Sequence, residues 1–154
     1  MFQSNLIQKI NFHLNLEFFS AGAYIAAGIR FSEIQQPELA ENFRLLAQSS
    51  VIKATRCFNY IKKQHVSPFI NNNTPCQYGM ELSLKAVTFS ITADYNLRTE
   101  HLTEMEEISI TSNDIKAAIF LGKIMAIHKE EGELLISTLS HATDDGKLYS
   151  FTGC

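Results

Sequence analysis

The chain has 154 residues, 45% of them hydrophobic and 19% charged, which is enough for one domain with a proper core. Its formal net charge of −3 leaves nucleic acid and anionic membrane without a basic surface to bind, and no basic run supplies one locally. Cys57, Cys76 and Cys154 are odd in number, far apart and without a CxxC pair, which excludes a disulfide framework and a zinc knuckle. The opening MFQSNLIQKINFHLN alternates polar and apolar residues, unlike a signal peptide, and no apolar run approaches the ~18 residues of a membrane span. A reducing, cytoplasmic setting is expected.

Periodicity predicts four long helices. The first, about 5–31, carries Leu6, Ile10, Leu14, Glu17, Ala21, Tyr24 and Gly28 in alternating steps of four and three. Gln36-Pro37 opens the second, 37–64, proline being at home in a first turn. Its stripe runs Leu39, Phe43, Leu46, Ser50, Lys53, Cys57 and Tyr60, apolar except for a serine and a lysine at the centre. VSPFINNNTPCQYG then supplies turn formers. The third helix, 82–110, presents Leu84, Val87, Ile91, Asp94, His101, Met105 and Ile108. Thr-Ser-Asn-Asp, rich in capping residues, separates it from the fourth, 114–140, which presents Phe120, Lys123 or Ile124, Ile127, Glu130 and Leu134. Glu131 fits that last phase nearly as well as Glu130. No segment shows convincing strand alternation, so the expected class is an all-α four-helix bundle in a single domain spanning 1–154.

Short connections make the first and second helices antiparallel, and likewise the third and fourth. The crossover at 65–81 is uncommonly long for a compact domain. Extended at ~3.3 Å per residue it reaches ~50 Å, more than the ~40 Å of a 27-residue helix. It can therefore travel the bundle and set the third helix parallel to the second. The tail is assigned to 141–154.

Glu17, Ser50 with Lys53, Asp94 and Glu130 each interrupt an apolar stripe within about a turn of a helix midpoint. In an antiparallel bundle of equal helices the midpoints share one level, so three carboxylates and an ammonium should meet there. Isolated buried carboxylates would protonate, so a shared partner is required, either a metal or Lys53. His101 reads as a satisfied core histidine, and His13, His65, His128 and His141 as surface residues.

NLEFFSAGAYIAAGI and FRLLAQSSVIKATRCFNYI resemble the corresponding helices of the bacterial non-haem ferritins, and IHKEEGELL is similar to their fourth. The likeness covers nearly the whole chain. AQSSV resembles the serine-bearing version in the B-type paralogue. The resemblance implies a ferritin-like bundle, iron storage and a homo-oligomer between a dimer and a 24-subunit cage, with an active ferritin subunit as a candidate partner. It places Glu17, Asp94 and Glu130 at metal-ligand positions and Tyr24 beside the centre.

The departures fall on the ligands. Where the family has an E-x-x-H pair, this chain has Ser50 and Lys53, and the second-site glutamine position is Ile127. Ser49, Ala126 and Lys129 replace the third-site carboxylates, and position 52 is isoleucine rather than the methionine that would hold haem. Serine is a poor ligand, and an ammonium offers no lone pair and repels Fe²⁺. The resemblance therefore implies a largely dismantled ferroxidase centre, no catalytic residue, weak or lost iron binding at Glu17, Asp94 and Glu130, and Lys53 filling the charge vacancy. The rival reading is a structural or interaction bundle that no longer binds iron. Family members usually carry a short fifth helix, for which HATDDGKLYSFTGC leaves little room, so that helix is expected to be short or absent.

Overall fold

The structure, a computed structural model, describes residues 2–71, 81–144 and 150–152. Its helices are α1 (Phe2–Glu33), α2 (Pro37–Lys63), α3 (Leu84–Thr111) and α4 (Ile115–Asp144). Cys76 and Cys154 lie outside the described residues, as does most of the segment expected to stand where a fifth helix would.

The packing shows how the helices run. One apolar cluster joins Tyr24, Ala27 and Phe31 of α1 to Leu39, Phe43 and Leu46 of α2, Val87 and Ile91 of α3, and Leu135 and Ala142 of α4. The other joins Leu6, Ile10 and Leu14 to Ala54, Cys57 and Ile61, Leu102 and Met105, and Ala117, Leu121 and Ile124. The start of α2 thus shares a cluster with the start of α3, and with the ends of α1 and α4. Helices α2 and α3 are parallel to each other, and α1 and α4 run the opposite way, as the crossover length predicts. At Gly28 an added Cβ would stand 3.3 Å from the Phe43 Cβ, a tight contact, so the missing side chain eases the approach of α1 to α2 there.

Helices α1, α2 and α3 end alike. Gln35, His65 and Asn113 adopt φ of 60°, 61° and 55°. Beyond each helix two backbone N–H groups turn back, as in Gln36 N–H to Phe31 O at 2.8 Å and Gln35 N–H to Ser32 O at 3.1 Å. This left-handed stop usually takes glycine. Asp114 starts α4 by accepting the Ala117 N–H on Oδ1 at 3.1 Å.

The crossover is tied to α1 by two asparagine amides. Asn11 accepts the Phe69 N–H at 2.8 Å and donates to the Phe69 carbonyl at 3.0 Å. Asn15 donates to the same carbonyl at 2.9 Å and accepts the Asn71 N–H at 2.6 Å. The expectation of no strand needs a small correction. Glu81–Ser83 pairs antiparallel with Ser150–Thr152, in register Leu82 to Phe151, so α3 begins at Leu84 rather than 82. Among the described residues no helix is long and apolar enough to cross a membrane.

Candidate functional site

Between the two apolar clusters lies a polar layer. Glu17 on α1, Ser50 and Lys53 on α2, Arg98 on α3, and His128 and Glu131 on α4 are all buried. The helical steps account for it: His13, Glu17, Ser20 and Tyr24 share one α1 stripe, and Lys53 follows Ser50 by one turn of α2.

Lys53 uses all three hydrogens of its ammonium. It lies 2.9 Å from Glu17 Oε2, 3.0 Å from Glu131 Oε1 and 2.7 Å from His128 Nδ1. Because that hydrogen comes from an ammonium, His128 Nδ1 must accept it, and His128 Nε2 then donates to the Thr99 hydroxyl at 2.8 Å. Thr99 in turn donates to the Tyr95 carbonyl at 2.9 Å.

Arg98 is the second cation. Its Nη1 donates to Glu17 Oε1 and Glu131 Oε2, both at 2.8 Å, its Nη2 to the Tyr24 hydroxyl at 3.0 Å, and its Nε to Asp94 Oδ2 at 3.0 Å. Tyr24 donates to Glu131 Oε2 at 3.1 Å, and Ser50 to Glu131 Oε1 at 3.3 Å. Two carboxylates thus face two cations, and every carboxylate oxygen of Glu17 and Glu131 accepts at least one hydrogen. That balance lets charges persist away from water, where an unpaired one would neutralise.

The ionisation equilibria follow the geometry. Burial pushes the Glu17 carboxyl up, but the His13 hydrogen bond and the Lys53 and Arg98 charges together outweigh it and hold the group well below the usual carboxylate range. Burial lowers the Arg98 pKa, but Glu17 and Glu131 more than reverse that. His128 is pushed down to about 2, first by burial and then by Lys53 and Arg98. Burial and the Glu131 charge raise the Tyr24 phenol.

Of the residues singled out in the sequence, the structure brings Glu17, Ser50, Lys53 and Tyr24 together. Asp94 stands at the rim, its side chain 23% exposed, where it accepts from Arg98 and from Ser20 at 2.7 Å rather than from Lys53. Glu130 is a correction. It is exposed, Ile127 is only half-buried, and the inward carboxylate is Glu131. The buried line of α4 runs Ala117, Leu121, Ile124, His128, Glu131, Leu135, Thr138 and Ala142. Choosing Ile127 and Leu134 over His128 and Leu135 turns the helix by one residue, about 100°. His13 and His128 are likewise buried, not surface residues. Arg98 escaped attention although it stands four residues after Asp94, on the stripe already traced.

Tyr95 fixes the His128 side of the layer. Its ring stacks on the imidazole at 4.2 Å between centroids and 8° between planes, and its hydroxyl donates to the His128 carbonyl at 2.8 Å. That hydroxyl lies where a Cβ at Gly132 would stand. Gly132→Ala should therefore destabilise the protein by about 1–3 kcal/mol by overpacking. In urea melts, combining it with Tyr95→Leu should cost less than the two single losses added together. Strict additivity would mean that the contact is not the reason for the glycine.

Among the described residues, no group of three His, Cys, Asp or Glu side chains converges to hold a metal ion. The bundle, with charged groups from all four helices meeting at its middle, has the ferritin-like four-helix fold. No family model matches the chain. The bacterial non-heme ferritin-like protein of Escherichia coli K12 is 25% identical over 150 residues, covering 96% of this chain and 87% of that protein. An open pore ferritin from Archaeoglobus fulgidus superposes with a TM-score of 0.72 at 16% identity, over 88% of this chain and 83% of that one. Chlorobium tepidum ferritin gives 0.72 at 18%, over 90% and 84%. The chain thus resembles the bacterial non-heme ferritin-like proteins in sequence and shares the fold of the solved ferritins.

Proposed function

We propose that this chain is a ferritin-like subunit of iron storage in which a buried ion-pair layer replaces the di-iron oxidation centre, leaving a weak iron store or a non-catalytic cage subunit. The observation that carries this reading is the pair of cations, Lys53 and Arg98, on the oxygens of Glu17 and Glu131. A di-iron centre needs carboxylates and imidazoles with lone pairs free to bridge and cap two ions. Here the bridging position is Ser50, and the His128 Nδ1 lone pair is already taken by Lys53. An incoming Fe²⁺ would have to displace two fixed positive charges. The residues do not fit a pair of iron ions.

An oligomer is supported by the outer face of α1. From Ile10 to Ile29 the sole charged residue is the buried Glu17, while Phe12, Phe19, Ile25 and Ile29 are exposed. Exposed apolar side chains on an outer helix face without charges suit an interaction surface. The setting in which the subunit works is taken to be cytoplasmic. The second reading, a structural or interaction protein without iron, is favoured by the same filled layer.

The test is aerobic addition of Fe²⁺ with ferric absorbance followed in time, together with iron content and particle mass. The expected trace lacks a fast phase and stays close to the protein-free rate. A rapid phase saturating at about two irons per subunit, the stoichiometry of a di-iron site, overturns the proposal. A large particle holding mineral supports the store, whereas an iron-free assembly supports the interaction role.

A further inference from the structure

At the shoulder of the layer, His13 of α1 and His101 of α3 meet edge to edge. Their Nδ1 atoms are 3.1 Å apart and the rings are parallel within 2°. His13 is fully buried, and its Nε2 donates to Glu17 Oε2 at 2.8 Å, since a carboxylate only accepts. His101 is half-buried, and its ring also lies against that of Phe12, with 5.2 Å between centroids. Hydrogen counting sets a limit on this pair. While the contact stands, its ring nitrogens hold at most three hydrogens: one on His13 Nε2, one on His101 Nε2 and one shared between the Nδ1 atoms. A fourth would set two N–H groups head to head across the gap and put two positive rings side by side. Of the two rings, only His101 has somewhere to go.

We propose that the His13–His101 contact is an acid-operated gate to the polar layer. The fourth hydrogen, taken from solvent, breaks the contact, and the charged His101 ring turns out into water. The bond lost is the shared Nδ1 hydrogen bond, and each Nδ1–H then donates to water instead. His13 stays seated on Glu17, but its Nδ1 edge is wet, so water reaches the Glu17 side of the layer while the helices remain packed.

The surrounding charges set where the gate works. On α1, His13 and Lys9 oppose a charge on His101, and on α3 Glu104 favours one. Lys9 and Glu104 pair with each other at 2.8 Å, so their effects largely offset. Behind His13, the Glu17 oxygens are held by Lys53 of α2 at 2.9 Å and Arg98 of α3 at 2.8 Å, and His128 and Glu131 of α4 lie beyond Lys53. Burial first and the charge on His13 second lower the seated His101 ring to about 4, whereas a ring in water titrates near 6.5. A proton therefore binds the turned-out ring more tightly than the seated one, and that difference drives the opening. The midpoint falls between the two values. None of this depends on the storage reading, because the Lys53 and Arg98 pairs stay in place.

The test is an imidazole ¹⁵N titration of the full chain from pH 7 to pH 4, with far-UV circular dichroism at each step. His101 should take up its proton with a midpoint between about 4 and about 6.5, and the His13 Nδ1 signal should step at the same pH. Exchange of the His13 Nε2 hydrogen with water should quicken by roughly tenfold or more through that step, with helicity unchanged. Lys9→Met, which takes a positive charge from beside the ring, should raise the midpoint, and Glu104→Gln should lower it, each by roughly 0.3 of a pH unit or more. Opposite shifts of that kind do not come from a shared folding defect. In His101→Phe, which keeps a ring against Phe12 but cannot charge, the His13 step should vanish. A His13 step that persists in His101→Phe, a His101 ring that charges without moving the His13 signal, or changes that appear only with loss of helicity, overturns the proposal.

Discussion

Lys53→Met lowers the stability of the bundle by about 3–5 kcal/mol, the usual result of removing one partner from a buried ion pair. Its methylenes already pack between helices, and methionine replaces most of them. The loss is therefore electrostatic. Glu17 and Glu131 keep two negative charges, Arg98 alone remains to balance them, and no water reaches the layer. For a chain of this length the drop corresponds to a melting point lower by on the order of 10 °C. A second substitution separates charge from packing. Glu17→Gln in the Lys53→Met background restores the balance between Glu131 and Arg98, so the double variant should be more stable than the sum of the single losses by at least about 1 kcal/mol. Urea melts of the four proteins measure this directly. Single variants within about 0.5 kcal/mol of the native chain would mean that the Lys53 tip finds water and that the layer is not closed.

How far the sequence carried this result can be judged residue by residue. The α1 and α2 stripes lead to Glu17, Ser50, Lys53 and Tyr24 because nearly all their other positions are apolar, so the polar interruptions stand out. On α4 the inward line itself includes His128, Glu131 and Thr138, while Ile127 and Leu134 lie one step round, so hydrophobicity alone favours the wrong face. Arg98 was lost for a related reason. A guanidinium in a core is unexpected until its three acidic partners are known, and they sit on three different helices. The helix ends are also hard to place. The left-handed stops at Gln35 and His65 carry none of the glycine that usually marks them, and only Asn113 has a residue type at home there. The direction of the helices needed none of this detail, since a long crossover between two short turns constrains it on length alone.

Acidification gives the second large effect. His128 is neutral in the folded protein, where its pKa is about 2, but titrates near 6.5 once unfolded. Between those values the unfolded chain binds the extra proton, so stability rises with pH and falls as pH drops below about 6.5. Glu17 acts in the same direction lower down. Its folded pKa lies below the usual carboxylate range, so the stability it contributes is complete above about pH 4.5 and is lost as pH falls through the depressed value. Well below pH 6.5 the His128 contribution alone approaches about 1.4 kcal/mol per pH unit, the limit for one proton. Urea melts from pH 7 to pH 5 should therefore show a loss of at least about 1–2 kcal/mol before the carboxylates titrate, with His101, whose pKa burial lowers to about 4, adding to it in the same direction. His128→Asn, which keeps an acceptor near the Nδ1 position without a titrating ring, should flatten that slope whatever its stability at pH 7. An equally steep slope in the variant would assign the acid sensitivity to other groups.

Under the function proposed above, the layer expected to make the protein acid-sensitive would also make it a poor host for iron. Catalytic ferritin chemistry would need mobile lone pairs in the middle of the bundle, and here those lone pairs are spent on an ammonium and a guanidinium. Changing Ser50 and Lys53 alone to glutamate and histidine would leave Arg98 on both carboxylates, so recovery of oxidation requires Arg98 to be replaced as well.

The most direct measurement is anomalous scattering at the iron edge from crystals soaked in Fe²⁺. The account predicts no peak between Glu17 and Glu131, with the Lys53 Nζ and Arg98 Nη1 atoms still within hydrogen-bonding distance of both carboxylates. One or two iron peaks among those oxygens, with either cation turned away, would contradict it.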